Sequence, residues 1–230
     1  MSDHMKDPHA QLGELYDLML MEYASGALDD ALSLLVASHL TLSAVARQRV
    51  AFFESLGGAL MDECCEPVSM AENALNAVLG KLESCGAESP CTAMDIMREA
   101  GIHLPQPLQQ HMKARACNTG KWHRAPGHVR VMPIPLAPCK MHYRALLMKA
   151  RPGAALPRMR HISREYCVVL QGNLRRREEY YHAGDLFVIE SESAPRPVVD
   201  AGAEGVCLVV SDAPARRRAS WFDQFFPFGF

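Results

Sequence analysis

The stretch of sequence that decides the fold runs from Gly153 to Gly172 and is Gly-Ala-Ala-Leu-Pro-Arg-Met-Arg-His-Ile-Ser-Arg-Glu-Tyr-Cys-Val-Val-Leu-Gln-Gly. It opens on a glycine turn, continues with polar side chains two and four residues apart, and closes on an apolar run that ends before Gly172. Alternation along a strand places residues 159 and 161 on one face. The apolar run, bounded by turn residues, predicts a buried strand. Together these features predict a pocket lined by neighbouring strands of a small barrel.

The rest of the second half continues this pattern from about Lys121 onwards. Short apolar segments alternate with turns rich in proline and glycine, and we expect strands at residues 129–131, 142–149, 165–170, 186–189 and 206–210. Short strands separated by regular turns are typical of a β-barrel or a β-sandwich.

The first half has helical periodicity instead. Four amphipathic helices are expected, over residues 12–21, 28–40, 43–60 and 69–82, with Gly57-Gly58 as a break or bend in the third. Ser69 and Glu72 form a capping box that predicts the start of the fourth helix. We therefore predict an α+β multidomain protein. An α-helical bundle over residues 1–84 is followed by a linker, 85–105, and a β-barrel domain, 106–230.

The net charge of −2 is unevenly distributed along the 230 residues. Residues 1–90 hold 4 lysines and arginines against 14 aspartates and glutamates, a net charge of −10, and residues 91–230 hold 20 against 12, a net charge of +8. An acidic first half does not suit DNA binding, which needs basic side chains against phosphate, but it suits a basic protein partner. No apolar stretch of membrane-spanning length and no signal sequence is seen, so we expect a cytoplasmic protein with no membrane contact.

The stretch from Gly153 to Gly172 resembles the first cupin motif. Gly153, His161, Glu165 and Gly172 stand at matching positions, whereas Met159 replaces the first histidine of the motif. The second motif is present in outline as His182-Ala183-Gly184-Asp185, and the last expected histidine is missing from Ser193-Ala194-Pro195-Arg196. The resemblance implies a double-stranded β-helix, or jelly roll, in which only two of four usual metal ligands remain.

The first half resembles the anti-sigma domain of the ChrR family in three segments: Tyr23 to Leu28, Leu34 to Leu40, and Gly57 to Met61. The family pairs such a helical domain with a cupin-like domain in the same order. It holds zinc through an early histidine and a His-x-x-x-Cys-x-x-Cys motif. Here His39 matches, but Ser43 and Ala46 stand at the cysteine positions. Four ligands are needed for such a site, so we expect no zinc and treat His39 as a remnant.

The resemblance implies an anti-sigma factor that binds an extracytoplasmic-function-type sigma factor and represses transcription, with the cupin domain as sensor or transmitter. The expected partner contacts lie on apolar faces of the first, second and fourth helices, at Leu15, Leu18, Leu32, Leu35, Val36 and Leu79. No direct nucleic-acid contact, no catalytic residue and no enzyme activity are predicted.

Two questions about the barrel stay open at this point. His161 and Glu165 are candidate ligands for a weakly bound divalent metal ion, although a metal-free pocket with a His–Glu pair or an organic ligand is preferred. The alternative function is a cupin-type small-molecule binder or metal-dependent oxygenase with a helical dimerisation domain.

Overall fold

The computed structural model describes residues 8–83, 101–115, 121–136, 143–157, 164–190 and 195–212. Within these ranges five helices precede the strands: α1 (Pro8–Ala24), α2 (Asp30–Leu42), α3 (Ala44–Cys64), α4 (Ala74–Glu83) and α5 (Gln106–Ala114). No helix in these ranges is long and apolar enough to cross a bilayer.

The four expected helices of the first half are present, with two differences from the sequence prediction. Helix α3 continues through Gly57-Gly58 without a break. Helix α4 begins at Ala74, so the capping box predicted at Ser69 and Glu72 does not start it. Short-range patterns identify a helix more securely than its ends, because end positions depend on a few local hydrogen bonds.

The caps that the structure does form are at the starts of α2 and α3. The side chain of Asp29 accepts a hydrogen bond from the Ala31 backbone N–H at 3.0 Å, and this bond satisfies one of the free donors at the start of α2. Ser43 separates α2 from α3 and accepts from the Ala46 backbone N–H at 3.3 Å. Helices α2 and α3 are therefore joined by a single capping residue.

In the part of the chain that the structure describes, nine strands form two antiparallel sheets. The strands are β1 (His123–Ala125), β2 (Val129–Ile134), β3 (Tyr143–Ala150), β4 (Glu165–Gln171), β5 (Leu174–Arg176), β6 (Glu179–Tyr181), β7 (Leu186–Ile189), β8 (Val198–Val199) and β9 (Gly205–Asp212). The larger sheet has the order β1-β2-β3-β9-β4-β7, and the smaller one has the order β6-β5-β8. The five predicted strands correspond to β2, β3, β4, β7 and β9, and the short strands β1, β5, β6 and β8 complete the barrel.

The interior of the barrel is packed with apolar side chains. One cluster of buried residues joins the inner face of the larger sheet to the smaller sheet, and it includes Leu146, Cys167, Val169, Leu174 and Val209. Alternation along β3, β4 and β9 sends every second residue into this cluster and the others to the opposite face. Both faces of the larger sheet are therefore buried, which accounts for the uninterrupted apolar runs in its strands.

The outer face of the larger sheet carries the helices. Its buried side chains form one cluster with α1, α2, α5 and the first turns of α3, and Leu35 of α2 lies at its centre. Ile102 and Leu104 are also buried in this cluster, although both lie in the predicted linker. The helices and the barrel thus share a continuous core, in three layers of helices, sheet and sheet.

Two glycines allow close backbone approaches in this arrangement. Gly172 ends β4 at a φ of +78°, and a Cβ atom there would lie 2.6 Å from the carbonyl oxygen of Glu204. Gly184 has a φ of +99°, and a Cβ atom there would lie 3.3 Å from the Cβ of Leu42 at the end of α2. The first is a turn within the barrel, as the sequence predicted, and the second is where the barrel meets the helices.

Candidate protein-binding surface and barrel site

Helix α3 presents an exposed apolar stripe. Val45, Phe52, Leu56 and Leu60 follow one another at spacings of seven, four and four residues, which places them on one face of the helix. All four are exposed, and Phe52 is 63% exposed. Apolar side chains grouped in this way on a surface are typical of a protein-binding site.

Helix α4 has the same character in a shorter segment. Leu75, Val78 and Leu79 lie at spacings of three and one and share a face, and Leu75 is 69% exposed. A helix of ten residues is marginally stable in water unless its apolar face packs against something. The exposed face of α4 is therefore a second candidate docking surface.

A groove lies between α1 and α3, beside the apolar stripe of α3. It has a volume of about 560 Å³ and is lined by Asp17, Val45, Gln48, Arg49, Phe52 and Phe53. An ion pair between Arg49 and Asp17 joins the two helices beside it. Leu18 and Met21 of α1 are also exposed. We call the exposed apolar residues of α1, α3 and α4 the helical surface.

The helical surface is acidic as well as apolar. Glu54, Asp62 and Glu63 are exposed on α3 itself, and the whole segment 1–90 carries a net charge of −10. Complementary charge steers association and selects partners, so this surface suits a basic protein.

The predicted partner contacts separate into two groups in the structure. Leu18 and Leu79 are exposed parts of the helical surface, and Leu15 is partly buried against the core. Leu32, Leu35 and Val36 are buried, with Leu35 at 0% exposure, because their face of α2 packs against the larger sheet. Their role as partner contacts stays a prediction, and in this conformation they would reach a partner only if α2 left the sheet.

Phe52, Leu56, Leu60 and Leu75 were not among the predicted contacts. Their helical spacing was visible in the sequence, but the same spacing describes a face packed inside a bundle. What distinguishes α3 is that its buried residues, Ala46 and Val50, lie only in its first two turns. That difference depends on which turns of α3 the rest of the protein covers, and local periodicity does not encode this.

His39 links the helices to the barrel. Its Nδ1 lies 2.7 Å from the carbonyl oxygen of Gly184, and its Nε2 lies 2.8 Å from the hydroxyl of Tyr16. A carbonyl oxygen only accepts, so Nδ1 carries the proton, and the neutral ring accepts from Tyr16 at Nε2. Both ring nitrogens are thereby used in hydrogen bonds. Burial lowers the pKa of His39, with smaller opposing effects from Gly184 and Asp185.

The positions next to His39 that would supply cysteine ligands carry the cap between α2 and α3. Ser43 accepts from the backbone N–H of Ala46, so these two positions act together in a hydrogen bond. Neither serine oxygen nor an alanine side chain fits the thiolate and imidazole donor set of structural zinc. The described residues around His39 thus fit a hydrogen-bonded junction and do not fit a zinc site.

In the barrel, Glu165 contacts Arg196. Nη1 and Nη2 of Arg196 donate to the two carboxylate oxygens of Glu165 at 2.8 and 3.1 Å. The side chains are 8% and 12% exposed for Glu165 and Arg196, so the pair is largely removed from water. Two parallel bonds of this kind make a bidentate ion pair. Arg196 lies in the segment where the resemblance had suggested a missing histidine.

The residues present do not fit a metal ion on Glu165. Its carboxylate oxygens are both held by a cation, and within the described residues no group of three histidine, cysteine, aspartate or glutamate side chains is placed to hold a metal. Cys167 lies on the same inner face, but burial raises the pKa of its thiol well above its usual range, with a further contribution from Cys207. His161, the other predicted ligand, lies outside the described residues.

A helical layer with an open apolar surface, packed onto a cupin-type barrel, is typical of a two-part protein that binds another protein. Comparison with known proteins agrees with this class. Residues 110–215 match the ChrR Cupin-like domain family. The chain is 32% identical to the anti-sigma-E factor ChrR of Cereibacter sphaeroides, over 92% of each chain.

The structural comparison extends the similarity to both halves. The chain is similar to a chain in the crystal structure of Rhodobacter sphaeroides SigE in complex with the anti-sigma ChrR, with 30% identity and a TM-score of 0.63. The match covers 85% of this chain and 96% of that chain. The chain belongs to the ChrR family, as its sequence motifs predicted.

Proposed function

We propose that this chain is an anti-sigma factor that binds an extracytoplasmic-function-type sigma factor through the helical surface. The observation that carries the proposal is the exposed apolar stripe of α3, Val45 to Leu60, in a chain whose similarity to the SigE–ChrR complex spans both of its parts. A sigma factor bound at this surface would be kept from RNA polymerase, and transcription from its promoters would be repressed.

The chemistry of the helical surface supports this kind of partner. A sigma factor recognises promoter DNA, and surfaces that contact DNA are basic. The net charge of −10 on residues 1–90 complements such a surface, and the exposed leucines and Phe52 supply the apolar anchors that dominate interface energies. Helix α4 would gain the packing that it lacks alone by lying against the partner.

The barrel has a supporting role in this proposal. It buries Leu32, Leu35 and Val36 of α2 and binds His39 through Gly184, so it fixes the orientation of the helices that carry the surface. A change in the barrel would reach the helical surface through α2, and this gives the cupin part a path for transmitting a signal. The alternative function of a metal-dependent oxygenase is not favoured, because Arg196 holds the carboxylate that would bind the metal.

The proposal is tested by co-expression of the full chain with each extracytoplasmic-function-type sigma factor of the same genome. We expect a one-to-one complex with at least one of them. RNA polymerase core should give no run-off transcription when the sigma factor is supplied as this complex, whereas the free sigma factor should support it. Leu56→Asp should weaken binding at least about 30-fold, because it places a carboxylate in the apolar centre of the interface.

Tyr180→Asp is the matched control, since Tyr180 is an equally exposed apolar side chain on β6 of the barrel. It should bind the sigma factor as the wild type does. Failure to form a complex with every sigma factor tested, or equal binding by Leu56→Asp and the wild type, would contradict the proposal.

A further inference from the structure

A row of polar residues lies at one end of the barrel interior. Arg144 of β3 pairs in register with Ser211 of β9, and Ser211 pairs with Glu165 of β4. Paired residues in adjacent antiparallel strands share a face. Leu146, Val209 and Cys167 belong to the interior cluster. Arg144, Ser211 and Glu165 are each two residues from one of them along the same strand, so they face the interior as well.

This row contains more positive than negative charge. Arg196 joins it from the segment before β8 and holds both oxygens of Glu165, so the only carboxylate of the row is already neutralised by one guanidinium. Arg144 is two strand spacings from Glu165, roughly 10 Å between backbones. The four side chains together carry one excess positive charge, and it lies on Arg144.

Two guanidinium nitrogens at this end are buried without an acceptor. Nη1 of Arg144 and Nε of Arg196 have no hydrogen-bond partner within the part of the chain that the structure describes. A buried donor of a charged group without an acceptor is costly, so such donors are rare in a folded protein unless something satisfies them. Here one of them belongs to Arg144, which is in register with Ser211, and the other to Arg196, which holds Glu165 on the next strand.

We propose that Arg144, Ser211 and Arg196 form a binding site for a small oxyanion, a carboxylate or phosphate group, at this end of the barrel. Guanidinium groups bind planar or tetrahedral oxyanions through paired N–H donors, more specifically than lysine does. The ligand supplies acceptors to the two buried nitrogens and a counter-charge to Arg144. The site takes an anion at the place where the cupin resemblance implied a cation, and it is independent of the helical surface and of the proposed sigma factor.

The test uses the full-length protein and two probes, inorganic phosphate and succinate, each compared with sodium chloride at the same ionic strength. We expect phosphate or succinate at millimolar concentration to raise the Tm by at least about 2 °C, since a ligand that binds only the folded state stabilises it. A response to phosphate alone assigns the phosphate group as ligand, and a response to succinate alone assigns the carboxylate.

Arg144→Met keeps the aliphatic length but removes the donors, so its Tm should not respond to either probe. Arg144→Lys keeps the charge without the fork and should respond less than the wild type, which controls for a folding defect in the methionine variant. Arg130→Met is the matched control, because Arg130 is exposed on β2, and it should respond fully. Equal responses to chloride and both probes, or an unchanged response in Arg144→Met, would overturn the proposal.

Sigma factor binding by Arg144→Met, measured in parallel, separates this proposal from the proposed function. The helical surface does not include Arg144, so we expect the variant to bind a sigma factor normally whatever its response to the probes.

Discussion

His39 donates a hydrogen bond from Nδ1 to the carbonyl oxygen of Gly184 over 2.7 Å, and this contact joins helix α2 to the turn that leads into β7. The residues are 145 positions apart in the chain. Tyr16 of α1 completes the junction through the other ring nitrogen. One buried imidazole, 4% exposed, thus connects two helices to the barrel.

The first prediction concerns the effect of pH on this junction. Burial lowers the pKa of His39 in the folded protein, while in the unfolded chain it stays near 6.5. The stability that depends on the neutral ring is therefore fully present above about pH 6.5 and is lost as the pH falls through that value towards the lower folded pKa. We expect the Tm to fall between pH 7 and pH 5.

His39→Gln should flatten this part of the profile, because glutamine does not titrate. His103→Gln is the control, since His103 is an exposed histidine beside the core segment of Ile102 and Leu104. Its pH profile should match that of the wild type. Thermal denaturation of the three proteins at half-unit pH steps measures the difference, and an identical slope in His39→Gln would rule out the assignment to His39.

The second prediction concerns the close approach of Gly184 to Leu42. A Cβ at residue 184 would be forced to 3.3 Å from the Leu42 Cβ and would also occupy a φ of +99°. We expect Gly184→Ala to destabilise the fold by about 1–3 kcal/mol through backbone strain, with an added cost from separating α2 and the barrel.

Gly202→Ala isolates the added cost. Gly202 has a similar φ of +113°, but a Cβ there would meet no atom within 4 Å. Urea unfolding of the two variants gives the difference in free energy, and we expect Gly184→Ala to be the less stable of the two. An equal or larger loss of stability in Gly202→Ala would show that the close approach to Leu42 adds no cost at residue 184.

The sequence predicted the two-part architecture and the main strands, because each half has one dominant hydrophobic period. It did not predict that Leu35 packs on the barrel, since a helical face looks the same whether it meets another helix, a sheet or a partner. The pairing of Glu165 with Arg196 was missed for a related reason. The two residues are 31 positions apart, and only the packing of β4 beside the segment before β8 brings them together.

The ligand positions of the family pattern are engaged in direct hydrogen bonds in this chain. In the helices, His39 is held by Tyr16 and Gly184, and Ser43 caps α3. In the barrel, Glu165 is held by Arg196. In each place direct hydrogen bonds between distant segments engage the side chain that the resemblance implied as a ligand.

The third prediction concerns the buried pair of Glu165 and Arg196. Glu165→Gln leaves the guanidinium buried without its counter-charge, and we expect a loss of about 3–5 kcal/mol in the free energy of unfolding. The double variant Glu165→Met with Arg196→Met removes both charges. Its loss in the free energy of unfolding should be much smaller than the sum of the losses in Glu165→Met and in Arg196→Met alone.

The exposed pair of Arg164 and Glu190 provides the control. Its side chains are 39% and 47% exposed, and Glu190→Gln should cost no more than about 1 kcal/mol, because exposed ion pairs are screened by water. Urea unfolding at neutral pH measures each of these variants. Additive losses in the double variant would mean that the two buried side chains act separately.

The last prediction concerns helix α4, whose ten residues expose Leu75, Val78 and Leu79. Without tertiary packing a helix of this length opens readily, so we expect the amides of Ala74–Glu83 to exchange with deuterium within seconds in the free protein. Those of α2, which is buried against the sheet, should be protected for far longer.

Binding of the sigma factor should slow exchange across α4 and the second half of α3 but leave the barrel strands unchanged. Leu79→Asp should abolish the protection of α4 and weaken binding, because the helix then has no apolar face to dock. Protection of α4 in the free protein equal to that of α2 would show instead that α4 is stable by itself and does not depend on the partner for its packing.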